Sequence, residues 1–362
     1  MKLRISLVVL SCVLSVLTGL LLSRRSSDAV TNLNGKGKVV IGLSMDTLKE
    51  ARWQADRDFF IKRAGDLGAE VLVQSANGDD GQQIRDVESL ITRKVNVIVI
   101  IPHNGAAMAK AVAMAHQAGI LVIAYDRLIP SCDLDLYVTF DNIRIGEMQA
   151  KYLVENLPQH KGKIVRIYGA KSDNNAFLFK RGQDNILKPY IERSDITVIH
   201  EDWAEDWKLE NAKKIMNAAI TKSGQGKNFD CDAVLAPNDN TAGGSVQALN
   251  EEGITGRVIV TGQDADLVAC QRIALGKQSM SIYKPIKQLA TKAAELAVNL
   301  AAGKPVIANS ATNNGQRDVP SVLLDTVIVT KDNLAGTVIR DSFHSYDDIY
   351  RDVPAKQRPP KP

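Results

Sequence analysis

An acidic and a basic residue stand side by side at the end of one short apolar run of the sequence. Residues 120–125, Ile-Leu-Val-Ile-Ala-Tyr, are followed at once by Asp126 and Arg127. Such a run is typical of a strand buried on both faces in a parallel sheet. Ligands of open α/β sheets bind in the crevice beyond the carboxyl ends of the strands. The pair can therefore hydrogen-bond a polar ligand there, and a solvated ion pair on a surface loop is the alternative.

Polar and aromatic side chains follow other predicted strands in the same way. The candidates are Arg52 and Trp53 in the first half of the chain, and Asn175, Trp207, Asn238 and Asp264 in the second. Each has an ordinary alternative, because Asn and Asp often cap helices and tryptophan often packs in a core. The neighbours of the two tryptophans include Asp56, Asp206 and Lys208, which argues against deep burial. The repeated placement favours a binding crevice.

These side chains share the ability to hydrogen-bond hydroxyl groups. Carboxylate and amide oxygens accept from hydroxyls, and the arginine fork donates to them. Indole rings supply flat apolar walls against which a pyranose can stack. The set therefore predicts a neutral sugar as the ligand. Asp126 and Asp264 could also act as the acid and base of a glycosidase, but Arg127 would keep a carboxylate ionised, so binding is favoured over hydrolysis.

Composition and missing motifs exclude several other functions. The net charge is only +4, with acids and bases well mixed, so no basic field for nucleic acid is present. No Walker A motif, no GxGxxG after the first strand and no GxSxG elbow occur, and neither a cofactor nor a metal is expected. The four cysteines, which form no CxxC pair, are Cys12, Cys132, Cys231 and Cys270. A bridge between Cys231 and Cys270 stays open.

The elements that position these residues alternate between strands and helices. Predicted strands fall at residues 39–43, 71–74, 97–101 and 121–125, with amphipathic helices between them, and the pattern restarts after a strand at 136–140. Further strands are predicted at 164–168, 197–200, 233–236, 258–261, 279–283 and 322–330. Repeated βα units demand parallel sheets with right-handed crossovers. A chain of 362 residues also exceeds one ordinary core, so two α/β domains are predicted.

The first 37 residues read as a targeting segment and linker. Lys2 and Arg4 precede an apolar run at residues 5–22, which is typical of a secretory signal. The run approaches the length of a membrane span, and Val-Leu-Ser-Cys at 9–12 is similar to a lipoprotein box. Cleavage, lipidation at Cys12 and retention as a membrane anchor all stay open. The Pro-rich segment 351–362 is predicted to be disordered.

Several motifs together resemble those of the periplasmic sugar-binding proteins of the ribose/galactose type that serve ABC importers, and most closely the D-xylose-binding members of that family. The motifs are Glu-Ala-Arg-Trp-Gln-Ala-Asp-Arg at 50–57, Ala-Tyr-Asp-Arg at 124–127, Asp-Asn-Asn at 173–175, Pro-Asn-Asp at 237–239, Gly-Gln-Asp-Ala-Asp at 262–266 and Tyr-Lys-Pro at 283–285. The resemblance extends from about residue 39 to about residue 344.

The resemblance implies a type I periplasmic binding protein fold, α/β with two Rossmann-like lobes joined by three hinge crossings. The crossings are expected near residues 140–141, 283–284 and 313–322. The N-terminal lobe would contain residues 38–141 and 284–312, and the C-terminal lobe residues 142–283 and 313–350. The resemblance further implies that Trp53 and Trp207 enclose the sugar ring. It implies hydrogen bonds to the sugar from Arg52, Asp126, Arg127, Asn175, Asn238, Asp264 and Lys284.

The function that the resemblance implies is capture of a monosaccharide outside the cytoplasm, D-xylose above others, without catalysis. A monomer would pass the sugar to an ABC permease and its ATPase. The alternative is an exported sensing subunit that presents the sugar to a chemoreceptor or sensor kinase. A sugar-responsive repressor would need a helix-turn-helix ahead of residue 39, where the apolar leader stands.

Overall fold

Two parallel β-sheets, each flanked by helices, form two lobes. The computed structural model describes residues 38–361. The strands are β1 (Val40–Met45), β2 (Glu70–Ser75), β3 (Val97–Ile101), β4 (Leu121–Tyr125), β5 (Leu136–Phe140), β6 (Gly162–Tyr168), β7 (Ile196–Trp203), β8 (Ala233–Leu235), β9 (Ile259–Val260), β10 (Ser281–Tyr283), β11 (Ser310–Asn313), β12 (Asp318–Leu324) and β13 (Val327–Val329). The predicted α/β class with two lobes is confirmed.

Helices follow most of these strands and cover the sheets. They are α1 (Ala51–Asp66), α2 (Asp80–Thr92), α3 (Gly105–Gln117), α4 (Asn142–Asn156), α5 (Asn174–Glu192), α6 (Leu209–Ser223), α7 (Asp239–Glu251), α8 (Leu267–Ala274), α9 (Ile286–Ala301) and α10 (Tyr346–Ile349). Asp or Asn side chains cap the starts of α2, α3, α4, α5 and α7 by accepting a hydrogen bond from a backbone amide. Since these helices follow strands, the caps of α3, α5 and α7 lie near the strands' carboxyl ends.

The first lobe is built on a sheet with the strand order β11-β12-β5-β4-β3-β1-β2. Strands β1 to β5 are parallel, and β3 is buried at all five positions because helices cover both faces of the sheet. The second lobe has the order β7-β6-β8-β9. A single bridge between Gln263 and Ile282 joins β10 to it, and β10 pairs with β13.

The chain passes between the lobes three times. It enters the second lobe between β5 and α4, and returns between β10 and α9, where Glu295 of α9 pairs with Arg63 of α1. Strand β12 then lies parallel to β5 in the first sheet, and β13 pairs in the second lobe. The last crossing is therefore at residues 325–326. The predicted lobe boundary at residue 313 differs from this arrangement, because pairing of β12 with β5 is a long-range contact that no local pattern reveals.

The C-terminal segment packs against the second lobe. Val353 is buried in a cluster with Ile349 and Tyr350. The hydroxyl of Tyr346 donates a hydrogen bond to the carbonyl of Pro359 at 2.5 Å, and Arg358 Nε donates to the carbonyl of Val353 at 2.7 Å. The prediction of disorder is therefore wrong for residues 351–361. The proline content suggested disorder, whereas the burial of Val353 and the hydrogen bonds of Tyr346 and Arg358 hold the segment in place.

Cys231 and Cys270 are free, buried thiols that belong to different hydrophobic clusters. The bridge that the sequence left open is thus not formed. Within residues 38–361, no helix combines the length and the apolar character that crossing a membrane requires. The predicted signal or anchor segment and Cys12 lie outside the described residues.

Helices α4 and α5 touch through their backbones. A Cβ atom at Gly182 would lie 2.0 Å from the carbonyl oxygen of Ile143, and one at Gly146 would lie 2.1 Å from that of Phe179. Such distances force the helices apart, because packed interiors do not absorb added atoms without strain. This contact helps to position the cleft, because the first turn of α5 lies beside the cleft.

We expect Gly182→Ala to lower the free energy of unfolding by at least about 1 kcal/mol, because the helix pair must separate. Urea denaturation measures the change. The matched control is Gly65→Ala in α1, where no atom lies within 4 Å of the added Cβ. That variant should gain roughly 0.5–1 kcal/mol from the higher helix propensity of alanine. Equal effects of the two substitutions would contradict the packing argument.

Candidate functional site

A cavity of about 220 Å³ lies between the lobes at the carboxyl ends of both sheets. It is smaller than the roughly 300–1,000 Å³ of sites for drug-sized ligands, so it suits a small molecule. All nine residues singled out from the sequence line it, namely Arg52, Trp53, Asp126, Arg127, Asn175, Trp207, Asn238, Asp264 and Lys284. The structure thus brings the whole predicted set to one place, and their roles toward a sugar stay a prediction.

Two cations and two carboxylates form the polar centre of the cavity. Nη1 of Arg52 lies 3.1 Å from Oδ1 of Asp264, and its Nη2 hydrogen-bonds Asp126. Nζ of Lys284 lies 3.0 Å from Asp264 and 3.7 Å from Asp126. Arg52 and Asp126 come from the first lobe and Asp264 from the second, while Lys284 lies in the second crossing, between β10 and α9. The cluster therefore connects the lobes.

Asp126 is held as a carboxylate. Burial alone would raise its pKa, but the charges of Arg52 and Lys284 lower the pKa to about 2. At neutral pH Asp126 is consequently ionised and accepts hydrogen bonds only. A general acid must carry a proton, so Asp126 is not suited to the acid role of a glycosidase pair.

Several residues of the site have a left-handed backbone. The φ angle is +61° at Asp126, +57° at Trp207 and +96° at Asp264. Such conformations cost non-glycine residues of the order of 1–3 kcal/mol and persist where the surroundings impose them. At Asp126, the hydroxyls of Tyr137 and Thr139 donate hydrogen bonds of 2.8 and 2.7 Å to its carbonyl oxygen. These two hydrogen bonds hold the Asp126 backbone in this conformation at the cavity.

Arg127 is engaged by protein groups. Its Nη1 donates to Oδ2 of Asp46 at 2.8 Å and to the carbonyl of Pro102 at 3.1 Å, and its Nε lies 3.0 Å from Oδ2 of Asp173. Its guanidinium carbon lies 5.4 Å from the ring centroid of Trp53, and that of Arg52 lies 4.3 Å away. Trp53 is nearly buried and holds both cations by cation–π contact.

Trp207 and Trp203 occupy different environments. Trp207 lines the cavity, with its ring edge-on to Phe179 at a centroid distance of 6.2 Å. Only glycine fits at position 169, because a Cβ there would lie 2.0 Å from Cη2 of Trp207. Trp203 instead packs between Tyr168 and Phe177, away from the cavity lining. Trp207, which the family resemblance implies as a wall of the sugar site, is thus the one of these two tryptophans that lines the cavity.

Both predicted asparagines also have structural partners. Nδ2 of Asn175 donates to the carbonyl of Asp126 at 3.0 Å, and its Oδ1 accepts from Asn142 at 2.9 Å. Oδ1 of Asn238 caps α7 by accepting from the amide of Thr241 at 3.0 Å. The helix-cap interpretation of Asn238 therefore holds alongside its place at the cavity.

Sequence reasoning missed other side chains that line the cavity. They include Asp46, His103, Phe179 and Asp266. Asp46 directly follows β1, so the strand-end rule that found Asp126 could have found it. Burial opposes ionisation of Asp46, but the hydrogen bond from His103 and the charge of Arg127 lower its pKa. The same hydrogen bond raises the pKa of His103.

Asp56 lies beneath the cavity and gives a testable pH dependence. It is buried and accepts from the hydroxyl of Tyr125, and burial raises its pKa from 3.8 to about 6, although Arg52 opposes the shift. The folded protein then binds this proton more tightly than the unfolded chain. We expect the free energy of unfolding to fall as the pH rises from about 4 to about 6.

Asp56→Asn should reduce this slope in urea denaturation measured from pH 4 to 6.5. Part of the slope should remain, because burial also raises the pKa of Asp239 and of Asp266. Asp58→Asn is the control, since Asp58 is exposed on the same helix. An unchanged slope in Asp56→Asn would contradict the proton uptake assigned to that carboxyl.

The chain matches a family model described as a periplasmic binding protein domain over residues 41–305. It is 47% identical over 331 residues to the D-xylose-binding periplasmic protein of Escherichia coli strain K12, covering 91% of this chain and 98% of that protein. It is 48% identical over 310 residues to the D-xylose-binding periplasmic protein of Haemophilus influenzae, covering 86% and 92%.

Solved structures with the same fold include a carbohydrate transporter solute-binding protein from Chloroflexus aurantiacus in complex with D-glucose. The TM-score is 0.81 at 32% sequence identity, covering 86% of this chain and 98% of that one. A second is an ABC transporter solute-binding protein from Clostridium phytofermentans with bound β-D-glucose, with a TM-score of 0.80 and 32% identity, covering 86% and 99%.

Proposed function

The chain belongs to the periplasmic binding protein family, and on that premise we propose that it captures a monosaccharide outside the cytoplasm and delivers it to an ABC transporter. The observation that carries this proposal is the cavity between the lobes, where Arg52, Asp126, Asp264 and Lys284 converge from both sides. A small polar ligand at this point contacts both lobes at once.

The chemistry of the cluster suits sugar hydroxyls. Asp126 and Asp264 are oriented by Arg52 and Lys284, and carboxylates accept charge-assisted hydrogen bonds from hydroxyl groups. Trp207 offers an apolar ring to the C–H face of a pyranose. A ligand that contacts both lobes favours the arrangement in which they are close, so binding and closure are coupled.

D-Xylose is the sugar that we propose as the preferred ligand. Relatives 47% and 48% identical to this chain are named for D-xylose binding, and the small cavity suits a pentose. Titration calorimetry with D-xylose, D-ribose, D-glucose and D-galactose should give the lowest Kd for D-xylose. Heat from D-glucose alone would overturn the sugar assignment, and no heat from any of these sugars would contradict the proposed function.

The partner that we propose is a membrane permease with its ATPase, and the binding protein itself is a monomer. If the protein delivers D-xylose to this permease, a strain that lacks the protein should take up D-xylose poorly at low concentration. A strain that keeps normal uptake but loses its transcriptional response would instead identify a sensing subunit. Light scattering with and without sugar measures the molar mass and so tests whether the protein is a monomer.

A further inference from the structure

Three residues at the start of α5 contact the first lobe directly. The carbonyl of Ser172 accepts a hydrogen bond of 3.2 Å from the amide of Gly105, the first residue of α3. Oδ2 of Asp173 lies 3.0 Å from Nε of Arg127. Nδ2 of Asn175 donates to the carbonyl of Asp126 at 3.0 Å. We call Ser172, Asp173 and Asn175 the clasp, because their contacts join protein groups of the two lobes and need no ligand.

Asp173 has two separate tasks within the clasp. Its Oδ1 accepts from the backbone amide of Asn175 at 2.9 Å and so caps α5. Its Oδ2 faces the guanidinium of Arg127 across the cleft. The side chains of this pair are only 4% and 11% exposed, so solvent screens their attraction weakly. One carboxylate therefore ties a helix start of the second lobe to a cation of the first.

The first lobe holds Arg127 ready for this contact. Asp46 and the carbonyl of Pro102 bind Nη1 at 2.8 and 3.1 Å, and Trp53 lies beside the guanidinium. The groups that fix Nη1 come from the ends of β1 and β3, so the first lobe alone holds this nitrogen of Arg127. The pair with Asp173 forms only when the lobes are close.

We propose that the clasp sets the balance between open and closed lobes, with Asp173 acting as a positioning residue through Arg127. The apparent affinity of a ligand falls with the fraction of protein in the binding-competent state. Closure that the protein's own contacts favour therefore strengthens sugar binding in addition to the direct contacts between the cavity and the sugar. The effect on affinity rests on the proposed function, whereas the effect on the lobes does not.

The decisive variant is Asp173→Asn, because asparagine caps helices as well as aspartate but carries no charge. Asp79→Asn is the matched control, since Asp79 caps α2 by accepting from the amide of Gln82, is exposed and lies away from the crossings between the lobes. Spin labels at Lys62→Cys and Lys188→Cys, both exposed and in different lobes, report the distance between lobes in the full chain. The cysteines of the described residues are buried, which limits their labelling.

Without sugar, Asp173→Asn should shift the distance distribution toward longer values, with the ratio of closed to open protein falling about tenfold, and Asp79→Asn should leave it unchanged. An unchanged distribution in Asp173→Asn overturns the proposal. With D-xylose, stopped-flow measurements should show dissociation about tenfold faster and association nearly unchanged for Asp173→Asn alone. Equal dissociation rates in both variants also overturn it. Sugar binding to no variant would contradict the proposed function, while the distance measurement would still decide the clasp.

Discussion

Trp207→Ala is expected to weaken monosaccharide binding by at least about 2 kcal/mol, which is about thirtyfold in Kd. Trp207 lines the cavity in a left-handed backbone conformation, and Gly169 leaves the space that its ring occupies. Removing the indole takes away the apolar wall for the sugar ring and opens the cavity to water, which weakens the hydrogen bonds of the neighbouring carboxylates. Titration calorimetry with D-xylose measures the loss.

Trp203→Ala provides the matched control for this experiment. Trp203 belongs to the same Trp-x-x-x-Trp pair but packs on Tyr168 and Phe177 outside the cavity lining. Its removal should lower the melting temperature and leave Kd within about twofold, because it deletes packing and no ligand contact. If both variants bound sugar as tightly as the unaltered protein, the cavity would not be the binding site.

Lys284→Met is expected to lower the free energy of unfolding by about 3–5 kcal/mol at pH 7.5. Lys284 is 2% exposed and pairs with Asp264 and Asp126. Without it, the buried Asp126 and the largely buried Asp264 have only Arg52 to share, which also pairs with Asp56, and a buried charge without a partner is costly. The loss should shrink toward pH 5, because a carboxyl that has lost its cation takes up a proton more readily. Urea denaturation at the two pH values measures both effects.

The control for Lys284→Met is Lys292→Met, which makes the same substitution eight residues further along the chain. Lys292 lies in α9 and is exposed, so its replacement should change stability by no more than about 0.5 kcal/mol. Equal stabilities of the two variants would show that Lys284 is not the buried cation on which the cluster depends.

The site was more predictable than the joining of the lobes. Asp126, Asn238 and Asp264 could be found because each follows a strand, and parallel sheets bring strand ends to one edge. Lys284 came from the family resemblance, since a lone lysine after β10 carries no local signal. Asp46 obeyed the strand-end rule and was still overlooked. For Trp53 and Trp207, the only local evidence of a position at the cleft was the charged residues beside them in the sequence.

Long-range contacts account for the errors in the predicted fold. Strand β12 belongs to the first lobe because it pairs with β5, about 180 residues earlier, and residues 322–330 alone look like one uninterrupted strand. The segment 351–361 is held by Val353 and by the contacts of Tyr346 and Arg358. Arg127 lines the cavity, and its role as a donor to the ligand stays a prediction, but the sequence did not indicate that Asp46, Pro102 and Asp173 also engage it. Local patterns report which side chains are polar, and only the folded chain reports which are already paired.

The polar centre of the cavity also acts as a charge filter. Each of the two cations Arg52 and Lys284 contacts both Asp126 and Asp264, so every charge of this group already has a partner of opposite sign. A neutral sugar exchanges hydrogen bonds there without disturbing this balance. A sugar acid or an amino sugar of the same shape brings a charge that has no counter-ion and must lose its hydration. Uronic acids and amino sugars should therefore be rejected even where their ring fits.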